Sequence, residues 1–569
     1  MAMEQVVHVR VADVQTGAVL PCRLRIRDAS GQVHVPLGYL HDPSVRPGEE
    51  VGGHLVEGGK VWVYVDGSCE VRLPPGRVCI EVRRGLQYTP IETVEDRGQG
   101  RIAIRIGLGR AIESPPGWCW ADTRAHWLSP AAAALEGAAE GLELVHVLAT
   151  RWDTPGLPRL ANLLDFSGQQ VALERHGCKV VVNTYQRGGA WGDLALLHCH
   201  RVVFPLVAGE PGFEHYTLAD WCYQCHRKGG LVVWPDFPGL MGERLPLALL
   251  GEIDAIEWSA QSFAIAEELY AASGESGSIE SSAPELGSSD SPSDVEQKAP
   301  VPRRPRDRKL SGLDLWYALL NTGRPLAIVG ASGKLSNATP LGAVRTATYL
   351  ATVEAGRSSG PSADGLTLAN WVAAVKRGQT YATSNPVLRW QVNGEEHVWR
   401  LTGAGNSPSW PADTLNLHAE ARSVWPFSRL ELICGGQVLA TAVATSFEAL
   451  PGQPGKDAKC SNTNDNRGAS KYQVWRAELS WRLHKVELAQ LPSNWLALRC
   501  WSENLLVAHT SPIWISGTPR LSAADRELLE DALRQSEATV VSWPHPRRDQ
   551  LLQRLKQARR LLAQATAAG

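Results

Sequence analysis

The chain has 569 residues, of which 44% are apolar and 20% charged, so it is long enough to bury several cores and to divide into three or four domains. Its formal charge of -2 provides no field that attracts nucleic acid or an anionic membrane, and we expect neither as a partner. No run approaches 18 uninterrupted apolar residues and the first residues do not resemble a signal peptide. We therefore expect a cytoplasmic protein whose 11 cysteines are reduced thiols.

Residues 1–110 carry the period-two pattern of half-buried strands. Apolar Cys22, Leu24 and Ile26 alternate with arginines, and turn signals separate this run from the next. The segment VRLPPGRVCIEVRRGLQY, from Val71 to Tyr88, predicts a strand, a Pro-Gly turn and a second strand. It resembles a transthyretin-like or carboxypeptidase-regulatory-like fold, which implies an N-terminal β-sandwich.

Residues 111–355 change to short apolar strands separated by helical stretches. The strands are LELVHVLAT, KVVVNTY, RVVFPLV, GLVVWPD, AIEW and PLAIVGAS. This alternation predicts a parallel sheet that closes into a barrel, within an α/β fold. Residues 273–309 are rich in Ser, Glu, Pro and Gly and contain almost no large apolar residue, so we expect a disordered insertion in this domain.

The remainder of the chain predicts a second sandwich and a helical tail. Residues 356–516 begin with the helical pattern LTLANWVAAVKRG and continue with β-type runs such as LNLHAEARS and NWLALRCWS. In the tail, residues 517–569, one helical face carries an apolar stripe that we expect to pack on the body of the protein: Leu551, Leu555, Ala558 and Leu562.

The segment WCWADTRAHWLSPAAAALEGAAEGLELVHVLAT, residues 118–150, resembles the first metal motif of PHP-domain hydrolases and, more narrowly, of the CehA/McbA group of metallohydrolases. Further similarity appears around Asn183, in ADWCYQCHRKGGLVVWPDFP, in LWYALLNTGRPLAIVGASGKLSNATPLGAVRTATYL and in GQTYATSNPVLRW. The resemblance spans most of the chain. It implies a PHP-like distorted β/α barrel flanked by N-terminal and C-terminal β-sandwich domains.

The metal motif of that family is altered in this chain. Side chains at alternate positions of a strand point the same way, so an Asp-x-His-x-His run offers several ligands to one ion. Here the run contains Asp122, Arg124 and His126, and an arginine has no lone pair to donate to a metal. A divalent ion about 4 Å from that guanidinium is repelled by roughly 8 kcal/mol at an effective dielectric near 20.

The other positions that the resemblance marks as ligands have also changed. Thr-Tyr-Gln follows Asn183, Asp236 stands in Pro-Asp-Phe-Pro where the family has Pro-His-Phe-Pro, and Lys334 ends Ala-Ser-Gly-Lys where the family has Gly-Thr-Asp-Lys. Of the plausible ligand types, Asp122, His126 and Glu257 remain. One histidine has become a cation and another an anion, so we predict an ion pair of Arg124 with Asp236 or Asp122, the alternative being that both face solvent.

These substitutions favour a pseudo-hydrolase that binds a small-molecule ligand or a protein partner without efficient hydrolysis, and that needs no cofactor. The predicted binding residues are Asp122, Arg124, His126, Asn183, Asp236, Glu257 and Lys334; no residue is assigned a catalytic role. One alternative is an active hydrolase of an ester, carbamate or phosphoester, with zinc or manganese on Asp122, His126, Asp236 and Glu257. Another is a scaffold that docks partners through its 273–309 linker.

Overall fold

The computed structural model describes residues 4–39, 51–97, 102–154, 157–208, 214–239, 241–259, 312–350, 366–396, 398–401, 414–449, 472–515, 518–542 and 545–567. These residues form a mixed α/β structure made mostly of strands, with 31 strands and seven α-helices among them. The insertion predicted at 273–309 lies outside the described residues. None of the described helices combines the length and the apolar character needed to cross a membrane.

The N-terminal region contains two sheets that share one hydrophobic core, which includes Val9, Ile26, Ile80 and Ile106. Its strands are β1 (Gln5–Asp13), β2 (Cys22–Asp28), β3 (Val33–His34), β4 (His54–Glu57), β5 (Lys60–Val65), β6 (Ser68–Leu73), β7 (Gly76–Arg83), β8 (Ile91–Arg97) and β9 (Ala103–Leu108). One sheet has the order β6-β1-β9; the other has the order β4-β5-β2-β7-β8, with β3 paired to β2.

The predicted burial pattern of β2 is confirmed, because Cys22, Leu24 and Ile26 are all buried. The two strands predicted on either side of the Pro-Gly turn are also present, as β6 and β7. They belong to different sheets, so the turn carries the chain from one sheet to the other across the shared core.

A curled sheet that forms half a barrel follows. Its strands are β10 (Trp118–Ala125), β11 (Leu144–Thr154), β12 (Leu157–Ala161), β13 (Leu173–Arg175), β14 (Cys178–Gln186), β15 (Leu194–Leu197), β16 (Leu231–Trp234), β17 (Ala255–Ser259) and β18 (Ala327–Ala331). The helices in this part are α1 (Pro130–Ala139), α2 (Leu218–Arg227), α3 (Arg244–Leu250) and α4 (Gly312–Asn321).

The prediction of an all-parallel sheet is wrong, because β12, β13 and β15 are each antiparallel to their neighbours. The predicted strand RVVFPLV is also wrong: residues 201–207 form no strand, and β15 lies just before them. Pairs β10–β11, β11–β14, β16–β17 and β17–β18 are parallel, but β15 is antiparallel to both β14 and β16. The connection from β14 to β15 is too short for the crossover that a parallel pair requires, so the chain turns back on itself. The end of β10 contacts the segment after β18, because Gly333 N donates to Arg124 O at 3.1 Å and His126 N donates to Lys334 O at 2.9 Å.

The strand network continues across the domain boundary predicted near residue 356, since β19 (Arg345–Tyr349) pairs with β10 and with β20 (Thr380–Thr383). After α5 (Leu368–Lys376) the strands are β21 (Val387–Val392), β22 (Glu395–Glu396), β23 (Arg400–Leu401), β24 (Thr414–Ser423), β25 (Arg429–Cys434), β26 (Gln437–Val443), β27 (Thr445–Ala449), β28 (Tyr472–His484), β29 (Trp495–Ser502), β30 (Leu505–Thr510) and β31 (Ile513–Ile515). A separate sheet has the order β22-β21-β24-β28-β27.

The tail consists of α6 (Ala523–Ser542) and α7 (Arg548–Ala567). The predicted stripe on α7 packs into a core shared with α3 and α4, and each of its four side chains is at most 2% exposed. Arg554 of α7 also forms an ion pair with Glu243, the residue before α3. The prediction that the tail packs on the body of the protein is confirmed.

We expect Leu555→Ala to lower the melting temperature clearly, because deletion of a buried leucine side chain costs about 2–5 kcal/mol. Gln553→Ala changes an exposed position of the same helix and serves as the control. Thermal unfolding followed by circular dichroism measures both variants. Equal melting temperatures for the two would show that α7 does not contribute to the core.

Candidate functional site at the mouth of the curled sheet

The predicted site residues lie mainly at one edge of the curled sheet, where the parallel strands β10, β14, β16, β17 and β18 end. We call this edge the mouth. Asp122 and Arg124 lie at the end of β10, Glu257 lies in β17, and Asp236 follows β16. Functional side chains of α/β sheets project from the carboxyl ends of parallel strands, so the topology brings these residues together.

Arg124 forms the centre of the mouth. Its Nε donates to Oε1 and Oε2 of Glu257 at 3.0 and 3.1 Å, and its Nη2 donates to Glu257 Oε1 at 2.8 Å. The same Nη2 contacts Oδ1 of Asp236 at 2.5 Å. Arg124 is 3% exposed and Glu257 is fully buried. The predicted pairing of Arg124 with Asp236 is present, and Glu257, which the sequence suggested as a retained metal ligand, is a second partner.

The charge of Arg124 is maintained by its partners. Burial disfavours a charged guanidinium, but the carboxylates of Glu257 and Asp236 outweigh this effect and raise the pKa of Arg124 above its usual value. Burial likewise raises the pKa of Glu257, and the guanidinium opposes that rise. Arg124 donates to both oxygens of Glu257, which makes the contact a charge-assisted one.

Asp122 does not pair with the guanidinium of Arg124. Its Oδ1 accepts the backbone N–H groups of Arg124 and Ser332, each at 3.1 Å, and its Oδ2 accepts Gly342 N at 2.8 Å. Burial raises the pKa of this carboxyl, and these hydrogen bonds oppose that rise. Asp122 therefore fastens the segment after β18 to the end of β10.

His126 is buried beside Arg124 and is neutral. Its Nδ1 lies 3.3 Å from Leu148 O, and its Nε2 makes no hydrogen bond with the described residues. The ring lies edge-on to the rings of Tyr185 and Trp152, at centroid distances of 5.2 and 5.6 Å. Burial, followed by the charge of Arg124, lowers the pKa of His126 to about 3.

In the described structure, the side chains of Asn183 and Lys334 make no hydrogen bond with Arg124, Asp236 or Glu257. Asn183 Oδ1 lies 2.8 Å from Nδ1 of His146, which fixes the orientation of that buried ring. Lys334 is fully buried and its Nζ lies 3.3 Å from Oε2 of Glu136, on α1, so the residue ties the end of the curled sheet to a helix. Both were predicted as binding residues, and both have structural contacts that account for their burial.

The donor atoms at the mouth do not fit a divalent ion. Both oxygens of Glu257 are bonded to Arg124, both oxygens of Asp122 accept backbone N–H groups, and Oδ1 of Asp236 is bonded to Arg124 and Ser259. In the described part of the chain, one group of three or more His, Cys, Asp or Glu donor atoms lies within 4.8 Å of one another, and it consists of Cys79, Glu81 and Glu92, away from the mouth. The guanidinium of Arg124 lies between the carboxylates of Asp236 and Glu257 instead.

A cavity of about 390 Å³ opens beside the ion pair. It is lined by Tyr185, Arg187, Asp193, Asp236 and Arg244, among others. The side chain of Asp236 is 38% exposed, so one carboxylate of the buried network reaches this space. The cavity therefore gives access to the Arg124 network through Asp236.

Two arginines of this cavity were not predicted from the sequence. Arg187 lies with its guanidinium 4.9 Å from the centroid of the Trp152 ring, and Arg244 donates to the carbonyls of Asp193 and Pro235 at 3.4 and 3.3 Å. Arg187 directly follows β14, at an edge from which functional side chains project, and that position was the available signal. Arg244 has no comparable signal, because its place depends on the fold of α3.

Gly192 makes room for Arg244. A Cβ atom at position 192 would lie 2.3 Å from Arg244 Nε, and the backbone there has a φ of +97°, which side-chain-bearing residues rarely adopt. Burial lowers the pKa of Arg244 to about 10, so the group stays cationic at neutral pH. The cavity lining thus combines two cations, Arg187 and Arg244, with two carboxylates, Asp193 and Asp236.

Comparisons with protein-family models, with curated proteins and with solved structures found no match to this chain. The interpretation of the mouth therefore depends on its own geometry. That geometry is a buried guanidinium shared by two carboxylates, next to a charged cavity.

We expect Glu257→Gln to destabilise the protein strongly, by roughly 3–5 kcal/mol, because it removes one partner of a buried ion pair. The double variant Arg124→Met/Glu257→Gln should lose less than the sum of the two single variants, since it leaves no buried charge without its partner. Chemical unfolding of the set measures this coupling. Glu174→Gln, at an exposed position, is the control; strictly additive losses would contradict the pairing.

The buried neutral histidines predict a loss of stability in mild acid. Burial lowers the pKa of His146 to about 4, so below pH 6.5 the unfolded chain binds a proton that the folded protein does not. Stability from this residue is complete above about pH 6.5 and falls by roughly 2 kcal/mol on going to pH 5. Melting temperatures at pH 7.5 and 5.0 should therefore differ less in His146→Gln than in the wild type. His8→Gln, at an exposed position, should leave the difference unchanged.

Proposed function

We propose that the protein is a CehA/McbA-like PHP-domain pseudo-hydrolase, which binds a small-molecule ligand or a partner at the mouth of the curled sheet without efficient hydrolysis. The observation that carries the proposal is the hydrogen bonding of Arg124 to Glu257 and Asp236. A permanent cation bonded to these carboxylates repels a divalent ion and takes the lone pairs that the ion would need.

The PHP-like distorted barrel and the flanking sandwiches are part of the same proposal. Two features support the barrel: parallel strands that carry the candidate residues at their carboxyl ends, and backbone hydrogen bonds that join the first strand to the segment after the last. The two N-terminal sheets with a common core support the first sandwich, and the sheet β22-β21-β24-β28-β27 supports the second.

The ligand that suits the mouth is polar and carries both hydrogen-bond donors and acceptors. Asp236 Oδ2 makes no hydrogen bond with a described residue and accepts donors, while the guanidinium of Arg187 recognises an acceptor or a negative charge. The cavity of about 390 Å³ has the size of a small-molecule site. No nucleic acid and no membrane enters this proposal.

The alternative of an active hydrolase, with zinc or manganese on Asp122, His126, Asp236 and Glu257, requires Arg124 to leave the carboxylates that it now binds. His126 Nε2 and Asp236 Oδ2 are the donor atoms still unengaged among those four residues. The scaffold alternative depends on the 273–309 linker, which lies outside the described residues.

Metal binding separates the first two functions. We expect the wild type, purified without chelators, to carry substoichiometric zinc and manganese, and Arg124→Ala to bind Zn²⁺ at least about tenfold more tightly, because removal of the guanidinium frees Glu257 and ends a repulsion of up to roughly 8 kcal/mol. Elemental analysis and calorimetric Zn²⁺ titration measure the two quantities. Arg105→Ala, at an exposed position on β9, is the control.

One outcome would overturn the pseudo-hydrolase. It is a purified wild type with about one divalent ion per chain, lost on Asp122→Ala, together with metal-dependent turnover of an ester, carbamate or phosphoester. A wild type that binds Zn²⁺ as tightly as Arg124→Ala would equally remove the physical basis of the proposal.

A further inference from the structure

A second cavity, of about 200 Å³, lies at the opposite end of the curled sheet from the mouth. Its lining includes Trp120, near the start of β10, and Glu143 and Gly177, which directly precede β11 and β14. The other side is formed by the N-terminal region, through the segment from Arg84 to Tyr88 and through Arg110. The cavity therefore lies where the N-terminal sheets meet the amino ends of the curled sheet.

Arg345 is the most deeply buried cation of this cavity. The residue lies on β19, is 3% exposed, and donates from Nε to Gly342 O at 2.9 Å and from Nη1 to Glu140 O at 2.7 Å. Both acceptors are neutral carbonyls, and within the described residues no carboxylate forms an ion pair with Arg345. Burial lowers the pKa of Arg345 to about 10, so the guanidinium remains charged at neutral pH.

Two further guanidiniums face the same cavity. Arg84 donates from Nη1 to Ala138 O at 2.8 Å and to the carbonyl of Pro21, and its Nε is buried without a hydrogen-bond partner in the described chain. Arg110 donates to Tyr88 Oη at 3.0 and 3.3 Å. Arg84 and Arg110 both lie over the Tyr88 ring, 5.4 and 5.2 Å from its centroid.

The positive charge of the cavity exceeds its negative charge. Glu143 is the one carboxylate among the described lining residues, and its Oε2 accepts the backbone N–H of Trp120 at 2.9 Å. Three guanidiniums against one carboxylate give the lining an excess of positive charge. Of the three, Arg345 is buried, Arg84 is half-buried and Arg110 is exposed. The carboxylates of Glu140 and Asp122 act on Arg345 from outside the lining without bonding its guanidinium.

Hydrogen bonds to the carboxyl end of α1 account for only some of the N–H donors of Arg84 and Arg345. Arg84 and Arg345 bond the carbonyls of Ala138 and Glu140 at the carboxyl end of that helix, where cations are favourable. These contacts use the Nη1 atoms alone. The Nη2 atoms of both guanidiniums make no hydrogen bond with the described residues, and both residues line the cavity.

We infer that this cavity binds a small oxyanion of the phosphate class, either free phosphate or the phosphate group of a small monoester. Arginine guanidiniums present planar pairs of N–H donors that match the oxygens of such a group. The anion would join Arg84 and Arg110 of the N-terminal region to Arg345 of the curled sheet. This inference does not depend on the function proposed for the mouth.

Titration of the full-length protein with inorganic phosphate and, separately, with methyl phosphate tests the inference by calorimetry and ³¹P NMR in a buffer free of phosphate and sulfate. We expect saturable binding at one site, weakened about tenfold or more in Arg84→Gln and in Arg110→Gln, since each variant removes a charged donor. Arg105→Gln, which removes an exposed arginine from β9, should bind like the wild type.

Glu143→Gln provides a second test in case Arg84→Gln or Arg110→Gln fails to fold. Glutamine can still accept the Trp120 N–H, and loss of the carboxylate charge should tighten phosphate binding. Preference for inorganic phosphate or for the monoester identifies the source of the ligand, and either result supports the site. Absence of saturable binding to the wild type, equal affinity of Arg84→Gln and Arg105→Gln, or weaker binding by Glu143→Gln would each overturn the inference.

Discussion

The mouth of the curled sheet depends on one buried ion pair, in which Arg124 donates to both oxygens of Glu257 and shares its Nη2 with Asp236. A guanidinium that is 3% exposed cannot lose its proton, so it needs negative partners within hydrogen-bond distance. The two carboxylates come from neighbouring strands of the sheet, β17 and the segment after β16. The pair therefore fixes the positions of three strand ends at once.

Asp122 helps to hold this edge of the sheet together through hydrogen bonds to the main chain. It needs no metal ion to do so. Its carboxylate accepts three backbone N–H groups, two of them from the segment that follows β18. The backbone bonds between Arg124 and Gly333 and between His126 and Lys334 close the same edge. Hydrogen bonds to the main chain thus join the end of β10 to the segment after β18. The side chain of Arg124 takes no part in them and binds the neighbouring carboxylates.

The sequence predicted part of this arrangement, for a clear physical reason. The family resemblance of the sequence led us to predict a charge pair of Arg124 with Asp236 or Asp122, and Arg124 and Asp236 are in contact. Glu257 was not recognised as a partner, because its distance from Arg124 depends on the register of strands that are far apart in the chain. Strand β15 was also missed, because the strand was predicted at RVVFPLV, whereas the preceding run LALL pairs with β14 and β16. Short apolar runs have the same pattern whether or not they pair in a sheet, and in either direction.

Arginines beside the curled sheet are held in two physically different ways. At the mouth, Arg124 has carboxylate partners that balance its charge, so this cation is explained by the protein alone. At the opposite end, Arg345 and Arg84 hydrogen-bond only neutral carbonyls in the described chain, and both residues line a cavity. A buried cation without counter-charge is costly unless an anion accompanies it. Carboxylate partners therefore account for the burial of Arg124 without a ligand, whereas Arg345 and Arg84, like Arg244 beside the mouth, bond carbonyl oxygens and line a cavity.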